Sequence, residues 1–272
     1  MFDKQIDSCG FSFLSFQNII WNEHIGNGSS GDVYKCTYNS IDCIGKCFYL
    51  KDYENKKGFI DDIYSELWIY QFLKNMQGVS EIIGYSYDEQ YEYICILMRY
   101  YTSISLNDYI QKNNISEKEK LSITKKLCNS LKEIHSRNII HCDIKPHNII
   151  YDKSKENILF IDFGASVKID NSKTIEMEEN MGTEGYMSDE LSFGTGSYKG
   201  DVYSLGVTIL ELWMKNIWNH KKNYRLDVLQ SLRELKKINL ELSIILKKCV
   251  AKDIQKRISL NSLIKYINMV EI

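Results

Sequence analysis

Short apolar runs separated by polar turns fill the first hundred residues, which is the pattern of a sheet. The runs 33–38 and 43–50 flank a polar turn over 39–42 and predict a hairpin. Further strands are predicted over 82–87 and 93–98. Between these two pairs the apolar spacing becomes helical, at Ile60, Ile63, Leu67, Tyr70 and Leu73. The first part of the chain is therefore predicted to form strands with one helix.

Beyond residue 100 the apolar spacing is mainly helical. Ser116 and Glu119 have the spacing of a capping box, and an apolar stripe follows them at Leu121, Leu127, Leu131 and Ile134. A small strand pair, predicted over 148–151 and 157–161, interrupts the helical part of the chain.

Helical patterns then return in the last third of the chain. They predict helices over 201–215 and 240–250, and a last helix that starts with Ser259 as its cap and carries Leu260, Leu263, Ile264 and Ile267. Because strands come first and helices later, without a repeating β-α-β alternation, the fold class is predicted to be α+β in two lobes.

Composition and charge exclude several kinds of protein. Of the 272 residues, 44% are apolar and 26% charged, which is ordinary for a globular chain and unlike a disordered or fibrous one. The 34 basic and 36 acidic residues give a net charge of −2. No nucleic-acid partner and no membrane partner are therefore expected from bulk electrostatics.

Nothing in the sequence predicts export or a membrane span. No apolar run approaches the ~20 residues that a span needs. Residues 11–20 lack the basic start and the cleavage site of a signal peptide, so an early strand is expected there. The eight cysteines form no CxxC pair and no zinc-ligand spacing, which predicts reduced, packed thiols in a cytoplasmic protein. The oligomeric state is left open.

A glycine-rich segment with the pattern G-x-G-x-x-G-x-V precedes the first predicted hairpin. Glycines allow a backbone to approach phosphate oxygens closely. A dinucleotide-binding fingerprint would open a helix here, whereas this segment leads into a strand. A plain glycine-rich hairpin is the alternative. The candidate nucleotide-contacting residues are Ile25, Gly26, Asn27, Gly28, Ser29, Ser30, Gly31, Asp32 and Val33.

Two charged residues beyond this segment are candidates for holding phosphate. Lys46 lies in the middle of the second strand of the hairpin, and Glu66 lies on the predicted helix. A strand lysine oriented by a helix glutamate can contact α- and β-phosphates. Each residue alone would be read as a solvated surface charge.

The densest group of chemically active residues is the pattern D-x-K-P-x-N followed by D-F-G. Phosphoryl transfer needs a carboxylate at the attacking hydroxyl, a cation at the γ-phosphate and oxygen ligands for Mg²⁺. Asp143, Lys145, Asn148 and Asp162 supply these groups in order. Both segments lie at the ends of predicted strands, where their side chains can converge.

Together these motifs resemble the eukaryotic-type protein kinases over nearly the whole chain. The resemblance implies an N-terminal extension over 1–18 and a kinase domain over 19–270. The domain would have a small β-rich N-lobe with one helix over 19–98, a hinge over 99–104 and a larger, mainly helical C-lobe over 105–270.

Further segments carry the resemblance. The sequence at 98–101 resembles the gatekeeper and hinge, 182–187 the substrate-docking loop, and 201–206 the helix that supports the catalytic loop. Residues 188–190 stand where the family has A-P-E, and Arg257 is placed to pair with Glu190. Lys145 and Thr183 resemble the serine/threonine branch.

The implied activity is transfer of the γ-phosphoryl group of MgATP to serine or threonine hydroxyls of protein substrates. The resemblance assigns Asp143 to the substrate hydroxyl, Lys145 to the γ-phosphate, and Asn148 and Asp162 to Mg²⁺. It assigns Lys46 to the α- and β-phosphates with Glu66 orienting it, and the backbone of Arg99 and Tyr101 to adenine.

Two departures from the family pattern affect these expectations. Cys142 replaces the arginine of H-R-D, which predicts activity without phosphorylation between Gly164 and Glu190. Ile44 replaces the alanine that packs on adenine and would narrow the pocket. A pseudokinase that binds ATP or acts as a scaffold is therefore the second hypothesis. A kinase of small molecules is the third, and the docking loop disfavours it.

Overall fold

A computed structural model describes residues 10–28, 31–52, 56–88, 93–170, 172–218 and 223–271. The chain divides into two compact units. One comprises the described residues up to Met76 together with Ser80–Thr102, and the other comprises Gln77–Val79 and the chain from Ser103. The predicted α+β class is confirmed, since the first unit is built on a sheet and the second mainly on helices.

The first unit is an antiparallel five-stranded sheet with the strand order β1-β2-β3-β5-β4. Its strands are β1 (Ile19–Gly28), β2 (Gly31–Tyr38), β3 (Ile41–Tyr49), β4 (Ile82–Asp88) and β5 (Tyr93–Arg99). The hairpin and the two later strands are confirmed, with ends that differ by one or two residues. The hairpin turn shortens to two residues, Asn39 and Ser40, which both have positive φ.

Successive side chains of a strand point to opposite faces of a sheet, and in this sheet both faces are apolar. One face packs with the helix α1 (Lys56–Phe72) through Ile63 and Leu67, and it includes Phe48 and Ile96. We call it the helix face. The opposite face carries Cys36, Cys43, Cys47, Cys95 and Leu97, and we call it the outer face. The predicted helix around residues 60–73 is confirmed by α1.

The expectation that all cysteines are reduced is wrong for one pair. Cys47 and Cys95 form a disulfide with a Cα–Cα distance of 4.3 Å. They are directly opposed in the register of β3 and β5, 48 residues apart in sequence. Strand pairing alone brings them together, so cysteine spacing carried no signal of this bond. Five other cysteines are free and buried, while Cys9 lies outside the described residues.

The expectation of a strand over residues 11–20 is also wrong for residues 11–18, since β1 begins only at Ile19. The described segment makes a single parallel bridge, at Phe13 with Tyr85, and then a short 3₁₀ helix, Phe16–Asn18. Two backbone hydrogen bonds attach it to β4, from Leu14 N to Tyr85 O (2.8 Å) and from Tyr85 N to Ser12 O (3.2 Å). The apolar residues of this segment therefore cover the sheet edge instead of forming a full ladder.

The second unit contains seven helices in the described part of the chain. They are α2 (Leu106–Lys112), α3 (Glu117–Ser136), α4 (Asp189–Ser192), α5 (Tyr198–Met214), α6 (Tyr224–Ile238), α7 (Leu240–Cys249) and α8 (Leu260–Met269). Helix α5 is buried along almost its whole length, and it contacts α3, α6, α7 and α8. It is the centre of this unit's core.

Short strands complete the second unit. They are β6 (Ile104–Ser105), β7 (Ile139–Ile140), β8 (Ile149–Asp152), β9 (Asn157–Phe160), β10 (Val167–Lys168), β11 (Thr174–Glu176) and β12 (Thr195–Ser197). The predicted pair corresponds to β8 and β9. The pair β7–β10 attaches the long segment between residues 162 and 197 to the chain before it, and the pair β11–β12 joins two parts of that segment to each other.

Serine caps set several helix starts. Ser116 accepts a hydrogen bond from Glu119 N and Ser259 accepts one from Ser262 N, as predicted. Ser197 accepts from Gly200 N, so α5 begins three residues before the predicted start at 201. Helix α6 was not predicted at all. None of the helices in the described part of the chain has the length and apolarity that crossing a membrane requires.

Candidate active site

The glycine-rich segment is the end of a tight antiparallel pair. Beyond two irregularities in β1, the two strands stay in register from Gly26 to the end of the pair, with Gly26 opposite Val33, Asn27 opposite Asp32 and Gly28 opposite Gly31. Ser29 and Ser30, at the tip, lie outside the described residues. Ile25 is exposed, and Asp32 lies 3.6 Å from His24. The segment therefore joins two strands. This confirms the expectation that a strand, and not a helix, follows it.

Two glycines of the segment have different surroundings. A Cβ added to Gly31 would lie 2.4 Å from the carbonyl oxygen of Cys47 on β3, so the close approach of the two strands requires glycine there. A Cβ added to Gly26 would meet nothing within 4 Å. Gly26 is therefore not required by packing, and the space above it is available to a ligand.

We expect Gly31→Ala and Gly26→Ala to separate stability from nucleotide affinity. Gly31→Ala should lower the stability by ~1–3 kcal/mol, because the added methyl displaces backbone of β3. Gly26→Ala should leave the melting temperature unchanged and weaken ATP binding by about 3–10-fold, because its methyl would project toward phosphates. Thermal unfolding and isothermal titration of both variants measure this. If both variants lost stability and ATP affinity to the same extent, the assignment of Gly26 to nucleotide binding and of Gly31 to strand packing would be contradicted.

Lys46 and Glu66 form a buried ion pair within the first unit. Lys46 Nζ lies 3.2 and 3.1 Å from the two carboxylate oxygens of Glu66, and both residues are 4% exposed. Lys46 Nζ also lies 5.2 Å from the centroid of the Phe48 ring. The sheet supplies the lysine and α1 supplies the carboxylate, so the pair links these two elements. A lysine oriented in this way is suited to binding phosphate oxygens.

The end of β5 carries the candidate adenine contacts. The Arg99 side chain pairs with Glu81 at 2.6 Å, and the Arg99 N–H donates to the Glu81 carbonyl at 2.9 Å. The backbone N–H of Tyr101 has no acceptor in the described part of the chain. Ile44 on β3 is directly opposite Met98 on β5. The charge of Arg99 is thus neutralised by Glu81, while Tyr101 keeps a donor that an adenine ring can use.

In the second unit, Asp201 of α5 fixes the backbone of the catalytic loop. Its carboxylate accepts hydrogen bonds from His141 N and Cys142 N, both at 2.9 Å, and its Oδ2 lies 2.8 Å from His135 Nε2. Cys142 has a φ of 63°, which is unfavourable for a residue with a side chain. The two bonds to Asp201 offset this strain and fix the residue that precedes Asp143.

The carboxylate of Asp143 is bound by three side chains. Oδ2 accepts from Lys145 Nζ and from Asn148 Nδ2, both at 2.8 Å, and Oδ1 accepts from Thr183 Oγ1 at 2.7 Å. Lys145 Nζ also donates to Thr183 Oγ1 at 2.6 Å. Asp143 is 8% exposed. The loop thus holds a carboxylate, an ammonium group and a hydroxyl together at one point.

Asn148 and Asp162 are the candidate Mg²⁺ ligands. The amide nitrogen of Asn148 donates to Asp143, and no described residue donates to its Oδ1. That oxygen is therefore available as a ligand. Asp162 is half-buried with a φ of 61°. No cluster of three or more His, Cys, Asp or Glu side chains suited to a metal occurs among the described residues. One carboxylate and one amide oxygen still fit Mg²⁺, which keeps waters and takes substrate phosphates as its other ligands.

Cys142 packs as an apolar residue and has no role in binding phosphate here. It belongs to a buried cluster with Ile140, Ile169 and Leu191, and its Sγ lies 3.8 Å from Met177 Sδ. Burial raises the pKa of the Cys142 thiol well above its usual value, and the neighbouring carboxylates of Asp201 and Asp143 add to this effect. The segment after Gly164 is thus anchored at this point by packing.

Three contacts hold the candidate substrate-docking loop, residues 182–187, and the three residues that follow it. Arg257 forms two hydrogen bonds with the carboxylate of Glu190, which confirms the predicted pair. Tyr186 donates to Glu211, and Trp218 Nε1 donates to Tyr186 Oη at 3.4 Å. Sequence reasoning missed Glu211. A carboxylate within the apolar run of α5 is the signal that could have found it, and burial raises its pKa.

The sheet-based first unit, the helical second unit and the two groups of polar residues define a protein kinase domain. The family model of the protein kinase domain matches residues 20–267, so the chain belongs to this family.

Individual relatives agree with this assignment. The chain is 29% identical over 254 residues to the serine/threonine-protein kinase MPS1 of Encephalitozoon cuniculi, covering 90% of this chain and 42% of that protein. It is 32% identical over 213 residues to the probable serine/threonine-protein kinase fnkE of Dictyostelium discoideum, covering 73% and 16%. With PrkC of Bacillus subtilis it shares 29% over 191 residues, covering 69% and 29%. The chain thus spans less than half the length of these relatives.

Proposed function

We propose that this chain transfers the γ-phosphoryl group of ATP to serine and threonine hydroxyls of protein substrates. The observation that carries the proposal is the shared binding of the Asp143 carboxylate by Lys145, Thr183 and Asn148. The protein kinase family and the serine/threonine kinases among the relatives support the same reaction. The proposed domain covers residues 19–270, with residues 1–18 as an extension.

In the proposed reaction a substrate hydroxyl oxygen forms a bond to the γ-phosphorus, and the bond from that phosphorus to the bridging oxygen of ADP breaks. Asp143 orients the hydroxyl and accepts its proton, so the phosphoprotein and ADP leave with charge balanced. Lys145 neutralises charge on the transferred group. In the structure its ammonium nitrogen lies 2.8 Å from Asp143 Oδ2, so the cation stands beside the carboxylate that would face the substrate hydroxyl.

The remaining polar residues would bind and position ATP. Lys46, oriented by Glu66, would contact the α- and β-phosphates, and the backbone of Arg99 and Tyr101 would hold adenine. Asn148 and Asp162 would hold Mg²⁺, which supplies charge neutralisation on the phosphates when bound. The glycine-rich segment, residues 25–33, would cover the phosphates with backbone N–H groups.

The partners and the location belong to the same proposal. The protein kinase family supports a protein substrate. A cytoplasmic location is part of the proposal, and the near-neutral charge gives no support to a nucleic-acid or membrane partner. Exposed Glu176, Glu178 and Glu179 have no described basic partner, which supports a solvated charge run over a built-in phosphate mimic.

We expect activity to be independent of phosphorylation between Gly164 and Glu190. Cys142 cannot bind a phosphate, and its cluster with Ile169 and Leu191 anchors the segment by packing. The double variant Ser172→Ala/Thr174→Ala should keep a turnover number within about twofold of wild type. The turnover number is measured by steady-state kinetics for this variant and, in parallel, for wild type treated with phosphatase. A tenfold loss in either sample would refute phosphorylation independence.

The acceptor class is tested by offering a generic protein and a mixture of small hydroxyl compounds in one assay with labelled ATP. Label should appear on protein, and acid hydrolysis should recover it as phosphoserine and phosphothreonine. Label on phosphotyrosine or on the small compounds would contradict the proposal. Label on the small compounds is the result that the third hypothesis, a kinase of small molecules, predicts.

A further inference from the structure

The outer face of the sheet in the first unit contains a cavity of about 440 Å³. It lies on the opposite face from α1, since Cys47, Tyr49 and Tyr93 belong to the outer-face cluster, whereas the cluster on α1 contains Phe48 and Ile94. The residues that line it are Phe16, Trp21, Tyr34, Cys47, Tyr49, Lys51 and Tyr93. None of them is among the candidate ATP-binding residues. We call this space the aromatic cavity.

Five aromatic rings form a closed circuit around the aromatic cavity. Ring centroids lie 5.7 Å apart for Phe16–Trp21 and Trp21–Tyr34, 6.0 Å for Tyr49–Tyr93 and 5.0 Å for Tyr93–Phe16. The circuit closes where the Tyr34 and Tyr49 hydroxyls meet at 3.3 Å. Most of these contacts are edge-on or tilted, which leaves ring faces able to receive a further ring. The volume falls within the ~300–1,000 Å³ of small-molecule sites.

Among the described residues of the lining, a lysine is the only charged one. Lys51 is exposed, and its Nζ lies 5.8 Å from the centroid of the Tyr49 ring. Among the described residues, no carboxylate lies within ion-pair distance of it. The positive charge of Lys51 therefore lies at the edge of the aromatic cavity, and no described carboxylate neutralises it.

Charge decides which ligand fits. Circuits of aromatic rings also bind ammonium groups through cation–π contacts. Here Lys51 would repel a cation, and none of the described residues of the lining has a carboxylate to attract one. A flat aromatic ring system with an anionic group instead gains ring contacts with the walls and attraction to Lys51.

We propose that the aromatic cavity is a binding site for a small, flat aromatic anion. The site is proposed independently of the phosphoryl transfer, because none of the described residues that line the cavity belongs to the candidate active site. The Phe16 ring also joins the segment before β1 to the sheet, so a ligand would contact both.

The test uses two probes with the same ring system and opposite charge, naphthalene-2-sulfonate and 2-naphthylmethylammonium. Isothermal titration is done on the full chain with a saturating non-hydrolysable ATP analogue and Mg²⁺, which occupies the candidate nucleotide site. We expect the sulfonate to bind with a 1:1 stoichiometry and about tenfold or more tightly than the ammonium compound.

Variants assign the binding to the aromatic cavity. Lys51→Glu should weaken sulfonate binding about tenfold or more and strengthen ammonium binding, and Phe16→Ala should weaken both. Lys74→Glu is the matched control, because Lys74 is an exposed lysine of the same unit that lies over Phe11, away from the cavity. It should change sulfonate affinity by less than about twofold.

Three results would overturn the proposal. They are no binding of the sulfonate at millimolar concentration, tighter binding of the ammonium compound, and sulfonate binding that Lys51→Glu leaves unchanged. Since Lys51 is exposed, its substitution should not unfold the protein, and circular dichroism of each variant checks this.

Discussion

Replacing Asp143 by asparagine should lower the rate of phosphoryl transfer by about 10²–10⁴-fold, the usual contribution of a general base. The amide has nearly the same shape, and it can stay among Lys145, Thr183 and Asn148, which bind the carboxylate in the wild type. It cannot accept the proton of the substrate hydroxyl. The change therefore removes the chemistry and leaves the surrounding structure in place.

Single-turnover transfer of labelled phosphate measures this effect without contribution from product release. The control is ATP affinity, measured by the shift in melting temperature with MgATP, which should stay close to the wild-type value. A rate within about fivefold of wild type would contradict the role of Asp143. Loss of ATP binding together with the rate would indicate that the asparagine had disturbed the fold.

The largest effect on stability is expected for Arg257→Met. The Arg257 side chain is fully buried. Besides its pair with Glu190, it donates to the carbonyl oxygens of Ala251 and Lys199. Methionine would leave these acceptors and the Glu190 carboxylate without their donors. Removing one partner of a buried ion pair costs about 3–5 kcal/mol.

Because a change of 1 kcal/mol shifts the melting temperature of a chain of this size by about 2–4 °C, Arg257→Met should lower it by ~6–20 °C. Lys252→Met is the matched control, since Lys252 pairs with neighbouring Asp189 at 3.1 Å and the lysine side chain is 78% exposed. Exposed pairs contribute about 0–1 kcal/mol, so this variant should shift the melting temperature by no more than ~4 °C. Similar melting-temperature shifts for the two variants would contradict the conclusion that burial makes the Arg257–Glu190 pair the more stabilising one.

Sequence reasoning predicted those elements whose signal is local. Helices α3 and α8 have serine caps and dense apolar stripes, so spacing and capping defined them well. Helix α6 was missed although Val228, Leu232 and Leu235 have helical spacing, and two of its five buried positions, Asp227 and Ser231, are polar. Strand β1 carries Asn22, Glu23 and His24 in its middle, so its place in the sheet comes from pairing with β2 and not from an apolar pattern.

The same distinction applies to the candidate site: residues in short motifs could be nominated from the sequence, and most contacts between distant residues could not. The catalytic-loop motif and D-F-G stand in short segments with fixed spacing, so the sequence was enough to nominate Asp143 and Asp162. The hydrogen bond from Thr183 to Asp143 spans 40 residues, and that from Tyr186 to Glu211 spans 25. The Cys47–Cys95 bond spans 48. Contacts of this kind depend on the folded chain, which is why sequence reasoning missed Glu211 and the disulfide.

The most direct test of the proposed activity is transfer of labelled γ-phosphate from MgATP to a generic protein, with wild type and Asp162→Ala in parallel. We expect label on serine and threonine with wild type and almost none with Asp162→Ala, since Asp162 is a candidate Mg²⁺ ligand. If wild type transfers no label although MgATP raises its melting temperature, the chain is an ATP-binding pseudokinase and the proposed activity is wrong. Undiminished transfer by Asp162→Ala would contradict the assigned site.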